Sequence, residues 1–150
     1  MRPDPNTSIF QTAMQFHQQG KLEAAEAIYL RILGSDPQHV DALHAIGIVA
    51  AQTGRAQGAV DYFNQAIALN PQFAAAYSNR GNALLELQQY DAALASFDQA
   101  LALRPDHADA WSNRGNALQK LHRHEEAVAS HDRALALNPV HPAAWYNRAN

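Results

Sequence analysis

The chain has 150 residues, of which 47% are hydrophobic and 17% are charged. This length suffices for one compact domain or for a short array of repeats. The formal charge of -3 at neutral pH gives no basic field of the kind that attracts nucleic acid through its phosphates, so we expect no nucleic-acid partner.

The sequence also lacks the features of secreted and membrane-spanning chains. No cysteine occurs, which excludes a disulfide framework and thiolate metal sites. The polar segment 1–6 has no apolar run typical of a secretion signal, and no stretch approaches the ~20 apolar residues of a membrane span. We therefore expect a cytoplasmic protein with no membrane partner.

Prolines return along the chain at a constant interval. Neighbouring members of the set Pro37, Pro71, Pro105 and Pro139 are 34 residues apart. The same step aligns Ala25, Ala59, Ala93 and Ala127, and also Tyr29, Phe63, Phe97 and His131. Self-similarity at a fixed period of this length predicts an array of identical structural units.

In chain order, this register predicts a short leading segment and then the repeated units. We expect a disordered N-terminus at 1–5, complete units at 6–39, 40–73, 74–107 and 108–141, and the opening of a fifth unit at 142–150. Apolar and small residues recur at three- to four-residue spacing in the two halves of each unit, which is typical of amphipathic helices.

Each unit is predicted to be a helix-turn-helix hairpin. Breaks near Gly20, Gly54, Gln88 and His122 separate the two helices, and proline ends the second helix because it lacks an N–H. Helices approach closely only where side chains are short, so we expect Gly81 and Ala93 to mark the crossing point in the third unit. Glycine inside a helix costs about 1 kcal/mol relative to alanine, and a close contact has to offset that cost.

Trp111, Gly115, Ala127 and Pro139 of the fourth unit resemble the motif of the tetratricopeptide repeat family, with His131 where a second aromatic residue is expected. The resemblance covers nearly the whole chain. It implies an all-α fold, in which the hairpins stack as an α-solenoid and wind into a right-handed superhelix. It also implies that the protein binds another polypeptide in a concave groove.

In this family the first helix of each hairpin lines the groove, and the resemblance assigns the same role to the matching positions here. The first two units contribute a partly apolar end, and the later units contribute an amide-rich end. The predicted peptide-binding residues are Phe10, Met14, His44, Ile48, Ser78, Asn79, Asn82, Ser112, Asn113, Asn116, Tyr146 and Asn147.

Asparagines recur with the repeat in two ladders, one containing Asn79, Asn113 and Asn147 and the other Asn82, Asn116 and Asn150. A carboxamide offers both a donor and an acceptor, so it can pair with the backbone of an extended peptide of any sequence. The pattern resembles the asparagine ladder of O-GlcNAc transferases. The alternative is that these asparagines are polar residues that contact only water. The lysine and arginine clamp of a carboxylate-binding subfamily is missing.

Two groups of basic side chains allow more than one interpretation. Arg80, Arg114 and Arg148 either form a cationic stripe or, as we favour, pack their stems against the hairpin while the guanidinium reaches a nearby carboxylate. His124 and His131 occupy positions that favour aromatic residues, so we expect them in the core and predict no metal site. Their burial would make the fourth hairpin sensitive to acid.

No phosphate-binding glycine-rich loop, nucleophile elbow or cysteine nucleophile is present, so we predict a non-catalytic segment with no cofactor. Segments 16–29 and 41–47 resemble the amino-terminal repeats of bacterial proteins that carry a glycosyltransferase, sulfotransferase or methyltransferase domain downstream. This resemblance implies the non-catalytic, substrate-recruiting arm of a larger enzyme. The alternative is a free-standing scaffold that associates with itself.

The opening of the fifth unit contains Trp145 and Tyr146 without a second helix to cover them. Repeat arrays normally close with a polar capping element. We therefore expect the sequence to be a fragment of a longer protein. The alternative is a homo-oligomer, in which a second copy covers these two aromatic residues.

Overall fold

A computed structural model describes residues 4–149, and for Ala144 and Ala149 it describes the backbone alone. Within this range the chain forms nine helices and no strand, which confirms the predicted all-α fold. The helices are α1 (Pro5–Gln18), α2 (Leu22–Ser35), α3 (Val40–Gln52), α4 (Ala56–Leu69), α5 (Ala74–Glu86), α6 (Tyr90–Leu103), α7 (Ala108–Lys120), α8 (His124–Leu137) and α9 (Pro142–Ala149).

Backbone contacts divide the chain into two compact units, with the boundary between Pro71 and Gln72. In the first unit, α1 packs on α2, α2 on α3, and α3 on α4. In the second unit, α5 packs on α6, α6 on α7, and α7 on α8, while α9 contacts both α8 and α7. Consecutive helices are therefore neighbours within each unit, as expected of helical hairpins.

The turn inside each hairpin contains a residue with positive φ. Gly20 and Gly54 have φ values of 74° and 79°, and Gln88 and His122 both have φ of 59°. This left-handed conformation ends the first helix of each hairpin and lets the next residue donate a backbone hydrogen bond into the preceding turn. Gln89, for example, donates from its amide to the carbonyl of Leu84 at 2.9 Å. The predicted breaks thus coincide with the helix ends.

The second helices α2, α4, α6 and α8 each end two residues before a proline of the repeat. After α6 and α8, a tryptophan on the next helix forms a hydrogen bond to this connection. The indole Nε1 of Trp111 donates to the carbonyl of Pro105 at 2.8 Å, and Trp145 donates to Pro139 at the same distance. In these two cases the proline and the tryptophan of the motif therefore stabilise the same connection between hairpins.

The start of α1 corrects the prediction of disorder at 1–5. Pro5 is the first helical residue, and the carboxylate of Asp4 accepts a hydrogen bond from the amide of Asn6 at 3.0 Å. A proline at the first helical position and an aspartate cap stabilise a helix start, because the first-turn N–H groups have no partner within the helix. The prediction is therefore wrong for Asp4 and Pro5, and residues 1–3 lie outside the described residues.

Gly81 makes room for an aromatic ring of the second helix of its hairpin. A β-carbon on Gly81 would lie 2.6 Å from Cε1 of Phe97. Gly47 meets Phe63 at the same distance. Both rings are fully buried, and the ring burial offsets the helical cost of glycine.

Candidate functional site

The first helices of the first unit enclose a groove of about 570 Å³, which we call the first groove. The volume lies within the range of about 300–1,000 Å³ that is typical of ligand pockets. Helix α1 contributes Phe10, Met14, His17 and Gln18 to its walls, α2 contributes Tyr29, and α3 contributes Asp41, His44, Ala45, Ile48 and Gln52. The structure thus brings together all four of the apolar-end residues that the sequence predicted.

Aromatic contacts and one polar contact fix the walls of the first groove. Phe10 packs between the rings of Tyr29 and His39, with centroids 5.7 and 5.5 Å away. The imidazole Nε2 of His17 and the side-chain Oε1 of Gln52 are 2.7 Å apart and join α1 to α3. The groove is therefore held by side chains that pack on one another.

His17, Asp41 and Gln52 were not among the predicted residues. They occupy the twelfth, second and thirteenth positions of their units, on the same first-helix faces as the predicted residues. Extending the repeat register to these positions would have found them. Nothing in the sequence distinguishes the pairing of His17 with Gln52, because it depends on the spacing between α1 and α3.

His44 packs beside Phe63, with ring centroids 5.8 Å apart. Burial lowers the pKa of His44 below its ordinary value, and the carboxylate of Asp41 raises it in part. Burial dominates because a charged imidazole loses its hydration there. The His44 side chain is therefore neutral at neutral pH and adds no positive charge to the groove.

A second groove of about 560 Å³ lies among the first helices of the second unit. Its walls include predicted residues Asn116, Tyr146 and Asn147, together with Glu86 and Lys120. The amide of Gln119, another lining residue, donates to the backbone carbonyl of Asn147 at 2.6 Å. This groove carries amides and both signs of charge, whereas the first groove is mostly apolar.

The ladder asparagines pair with one another between neighbouring hairpins. Nδ2 of Asn113 donates to Oδ1 of Asn82 at 2.9 Å, and Nδ2 of Asn147 donates to Oδ1 of Asn116 at 2.7 Å. Each pair engages one N–H of the donor amide and the oxygen of the acceptor amide, which leaves further donor and acceptor capacity on both. Asn79 is half-buried on α5.

Ser78 and Ser112 were also predicted on the binding face, and both are buried, with exposures of 5% and 1%. Side chains so little exposed contact no ligand without a rearrangement of the hairpin. Oγ of Ser112 and both ring nitrogens of His131 have no hydrogen-bond partner among the described residues. We therefore leave the two serines out of the binding surface.

Arg114 and Arg148 reach nearby carboxylates, as the favoured interpretation expected, and Arg80 donates to the side chains of Ser96 and Gln99. Arg114 donates from Nε to Asp98 at 2.7 Å and from Nη1 to the buried Ser130 at 2.6 Å, and its guanidinium lies 5.7 Å from the centroid of Trp111. Arg148 donates in the same way to Asp132. These guanidinium groups bind the second helices and do not form a free cationic stripe.

The histidine prediction is right for one residue and wrong for the other. His131 is fully buried in the ring position beside Gly115. His124 is exposed, because it is the first residue of α8 and its side chain lies beyond the packed part of the hairpin. Among residues 4–149 no group of three or more histidine, aspartate or glutamate side chains is arranged to hold a metal ion.

No helix in the described range has the length and apolar character needed to cross a bilayer. Trp145 and Tyr146 on α9 are 56% and 71% exposed, and the preceding Val140 is 81% exposed. Tyr146 also lines the second groove.

Comparison with known proteins identifies the repeats. Models of the tetratricopeptide repeat match residues 12–74, 62–95 and 108–141, and a TPR repeat model matches residues 81–122, so that the matches together span 12–141. No curated protein sequence matches the chain.

Solved structures share the fold. MamA is 22% identical with a TM-score of 0.87, over 95% of this chain and 78% of that chain. YrrB, described as a TPR protein with an unusual peptide-binding site, is 22% identical with a TM-score of 0.87, over 97% of this chain and 75% of that chain. The TPR domain of Arabidopsis OM64 is 29% identical with a TM-score of 0.72, over 73% of this chain and 91% of that domain.

Proposed function

Because this chain belongs to the tetratricopeptide repeat family, we propose that it is a protein-interaction module that binds an extended polypeptide segment along its first helices. The observation that carries the proposal is the first groove, in which Phe10, Met14, His44 and Ile48 come together around about 570 Å³. The resemblance to the repeat family had assigned these residues to the groove. A groove of this size with apolar walls supplies an anchor for a side chain of the ligand.

The asparagine pairs of the second unit suit the backbone of an extended peptide. Asn113 keeps its carbonyl oxygen and one N–H beyond its bond to Asn82, so the pair offers both a donor and an acceptor. Neighbouring first helices are about 10 Å apart and an extended peptide advances about 3.3 Å per residue, so one pair meets about every third peptide residue. Each such bond contributes only about 0.5–1.5 kcal/mol, so we expect weak binding from the asparagine pairs alone.

The repeats are non-catalytic. Their proposed role is to recruit a substrate for a catalytic domain. We propose that the module is the non-catalytic arm of a larger protein, such as a bacterial glycosyltransferase or sulfotransferase. The support is the similarity of segment 16–29 to the amino-terminal repeats of such proteins. An antibody against this chain tests the proposal on an extract of the source cells: a band well above 16.4 kDa supports it, and a band at 16.4 kDa contradicts it.

Peptide binding is tested with a random dodecapeptide library displayed on phage and selected on the purified chain. The selected peptides are then measured by fluorescence anisotropy against a Phe10→Ala/Ile48→Ala variant and an Asn82→Ala/Asn113→Ala variant. Glu125→Gln, on the exposed surface of α8, is the control. We expect both groove variants to weaken binding and the control to leave it unchanged. A wild-type chain that enriches no peptide, or groove variants with unchanged affinity, would contradict the proposal.

Self-association is a second candidate function, and the exposure of Trp145, Tyr146 and Val140 favours it. The proposed occupant of this surface is a second copy, because packing of one hairpin on the next is the contact that the chain already makes within each unit. Light scattering of the wild-type chain and of a Trp145→Ser/Tyr146→Ser variant tests it. A dimer that the variant abolishes supports self-association, and a monomeric wild-type chain excludes it.

A further inference from the structure

The charge of the first groove is distributed asymmetrically. Helices α1 and α3, which form its walls, contain no lysine and no arginine. Of the residues that line the groove, Asp41 alone carries a formal charge at neutral pH. The walls are therefore apolar or neutral, except for one carboxylate in the first turn of α3.

The Asp41 carboxylate is available to a ligand. Its side chain is exposed, and within residues 4–149 it forms no salt bridge and no hydrogen bond. Among the residues that line the groove, His44 interacts electrostatically with Asp41, and burial keeps His44 neutral at neutral pH. The negative charge of Asp41 is thus uncompensated at the edge of an apolar groove, where a cation of the ligand would offset it.

The distances along α3 limit where that cation can sit. Asp41 and Gln52 lie near opposite ends of the helix, about 16 Å apart at a rise of about 1.5 Å per residue. The contact of His17 with Gln52 makes the far end polar, and the apolar residues Phe10 and Ile48 line the same space. An extended peptide spans about 16 Å in about five residues. Its anchor residue in the groove therefore lies within about three peptide residues of the position that faces Asp41.

We infer that the first groove binds an extended peptide segment in which a large apolar side chain has a lysine or arginine within about three positions of it. The apolar side chain packs against Phe10, Met14 and Ile48, and the basic side chain pairs with Asp41. This inference rests on the proposed function and adds the chemical class of the ligand to it.

Parallel selections from the same random dodecapeptide library test the inference. The baits are the wild-type chain, Asp41→Asn, and Asp61→Asn as a matched control, since Asp61 is exposed on α4 and does not line the groove. We expect the wild type and Asp61→Asn to enrich peptides with a phenylalanine, leucine, isoleucine or methionine near a lysine or arginine. With Asp41→Asn we expect the apolar preference to remain and the basic preference to disappear.

The affinity of one enriched peptide gives the magnitude. Replacing its lysine or arginine by glutamine should raise Kd about two- to fivefold for the wild type, as expected of an exposed ion pair. The same replacement should change nothing with Asp41→Asn. In 1 M salt the difference should largely vanish for the wild type, because the Debye length falls to about 3 Å.

The outcomes separate this inference from the function on which it rests. Enriched peptides without a basic preference, or a basic preference that persists with Asp41→Asn, would overturn the inference and leave peptide binding intact. A selection that enriches no peptide would overturn both. Formation of a dimer that Phe10→Ser abolishes would assign the groove to a second copy of the chain and would also overturn the inference.

Discussion

The imidazole ring of His131 packs directly on the backbone of Gly115, and a β-carbon on Gly115 would lie 2.5 Å from Cε1 of His131. The same pairing of a glycine on the first helix with a ring on the second occurs at Gly81 and Phe97, at 2.6 Å. In the fourth hairpin the ring is polar, but it occupies the same space. A titratable group is thereby buried at the closest contact of the hairpin.

Adding one methyl group at this contact should destabilise a hairpin. Gly81→Ala forces the buried ring of Phe97 to move, and we expect a loss of about 1–3 kcal/mol in the free energy of unfolding. Gly81→Leu should prevent the third hairpin from packing. Urea unfolding followed by circular dichroism measures both changes.

Gly58 provides the matched control for this substitution. It lies in α4, and the nearest atom to a β-carbon there would be Cβ of Arg55 at 3.9 Å. Gly58→Ala should therefore stabilise the chain by up to about 1 kcal/mol, which is the helical preference of alanine over glycine. Equal effects of the two alanine substitutions would contradict the packing role of Gly81.

Acid should destabilise the fourth hairpin through His131. Burial lowers the pKa of this imidazole in the folded chain. The carboxylate of Asp132 raises the pKa in part, and His141 adds a smaller lowering. The unfolded chain binds a proton near pH 6.5 and the folded chain does so only at lower pH, so stability is lost as pH falls below about 6.5. At pH 5.5 the loss from one such group is at most about 1.4 kcal/mol.

Thermal unfolding at pH 7.5 and pH 5.5 measures this loss. His131→Phe replaces the imidazole by a phenyl ring, as in other hairpins of the chain, and should reduce the drop in Tm between the two pH values. His124→Gln, on the exposed surface, should leave the drop as it is in the wild type. The role of His131 would be refuted by an equal drop in the wild type and in His131→Phe.

The side chain of the residue in the left-handed turn should affect the stability of the chain. Gln88 adopts φ of 59° without being a glycine, whereas Gly20 has φ of 74° at the matching position. This conformation costs a residue with a β-carbon about 1–2 kcal/mol. The greater freedom of glycine in the unfolded chain cancels part of this gain. Gln88→Gly should therefore stabilise the folded chain by a net value of about 0.5–1 kcal/mol. Urea unfolding checks this, and a destabilised Gln88→Gly variant would contradict it.

The sequence predicted the features that the repeat register controls. The proline spacing identified the joints between hairpins, and the recurring glycines and rings identified the packed positions, including the polar ring of His131. These positions follow from local geometry that is the same in every unit, so one pattern describes them all. The apolar residues of the first groove followed from the resemblance to the repeat family, which assigns the first helix of each hairpin to the groove.

The features that the sequence did not predict depend on contacts between elements. His124 aligns with other helix-start residues, but whether such a residue is buried depends on its length and on what packs above it. Ser112 and Asn113 are adjacent on α7, yet Ser112 is buried and Asn113 is half-exposed. The pairing of Asn113 with Asn82 likewise depends on the distance between α5 and α7, which no local pattern encodes.

Two arginines should differ in their contribution to stability because of where their partners lie. Arg114→Met keeps the apolar stem over Trp111 but leaves the buried hydroxyl of Ser130 without its donor, so we expect a loss of about 1–2 kcal/mol. Arg123→Met removes an exposed pair with Glu126 and should therefore cost much less stability. Chemical unfolding of both variants gives the comparison, and a larger loss for Arg123→Met would reverse the assignment.

Substitutions at Asn113 should separate its bond to Asn82 from its proposed contact with a peptide. Asn113→Ala removes both and should cost about 1 kcal/mol of stability, with a coupling of about 0.5–1.5 kcal/mol to Asn82→Ala in a double-mutant cycle. In Asn113→Asp the amide of Asn82 can rotate and donate to the new carboxylate, so stability should change by less than about 0.5 kcal/mol.

Peptide affinity then distinguishes the two interpretations of the ladder. If Asn113 binds a peptide backbone, both variants should raise Kd about three- to tenfold, because each removes the N–H that faces the ligand. If Asn113 serves only the pair with Asn82, Asn113→Asp should bind a neutral selected peptide as the wild type does. Fluorescence anisotropy on a peptide without charged residues near the amide pair makes the comparison, since a charged peptide would respond to the added carboxylate alone.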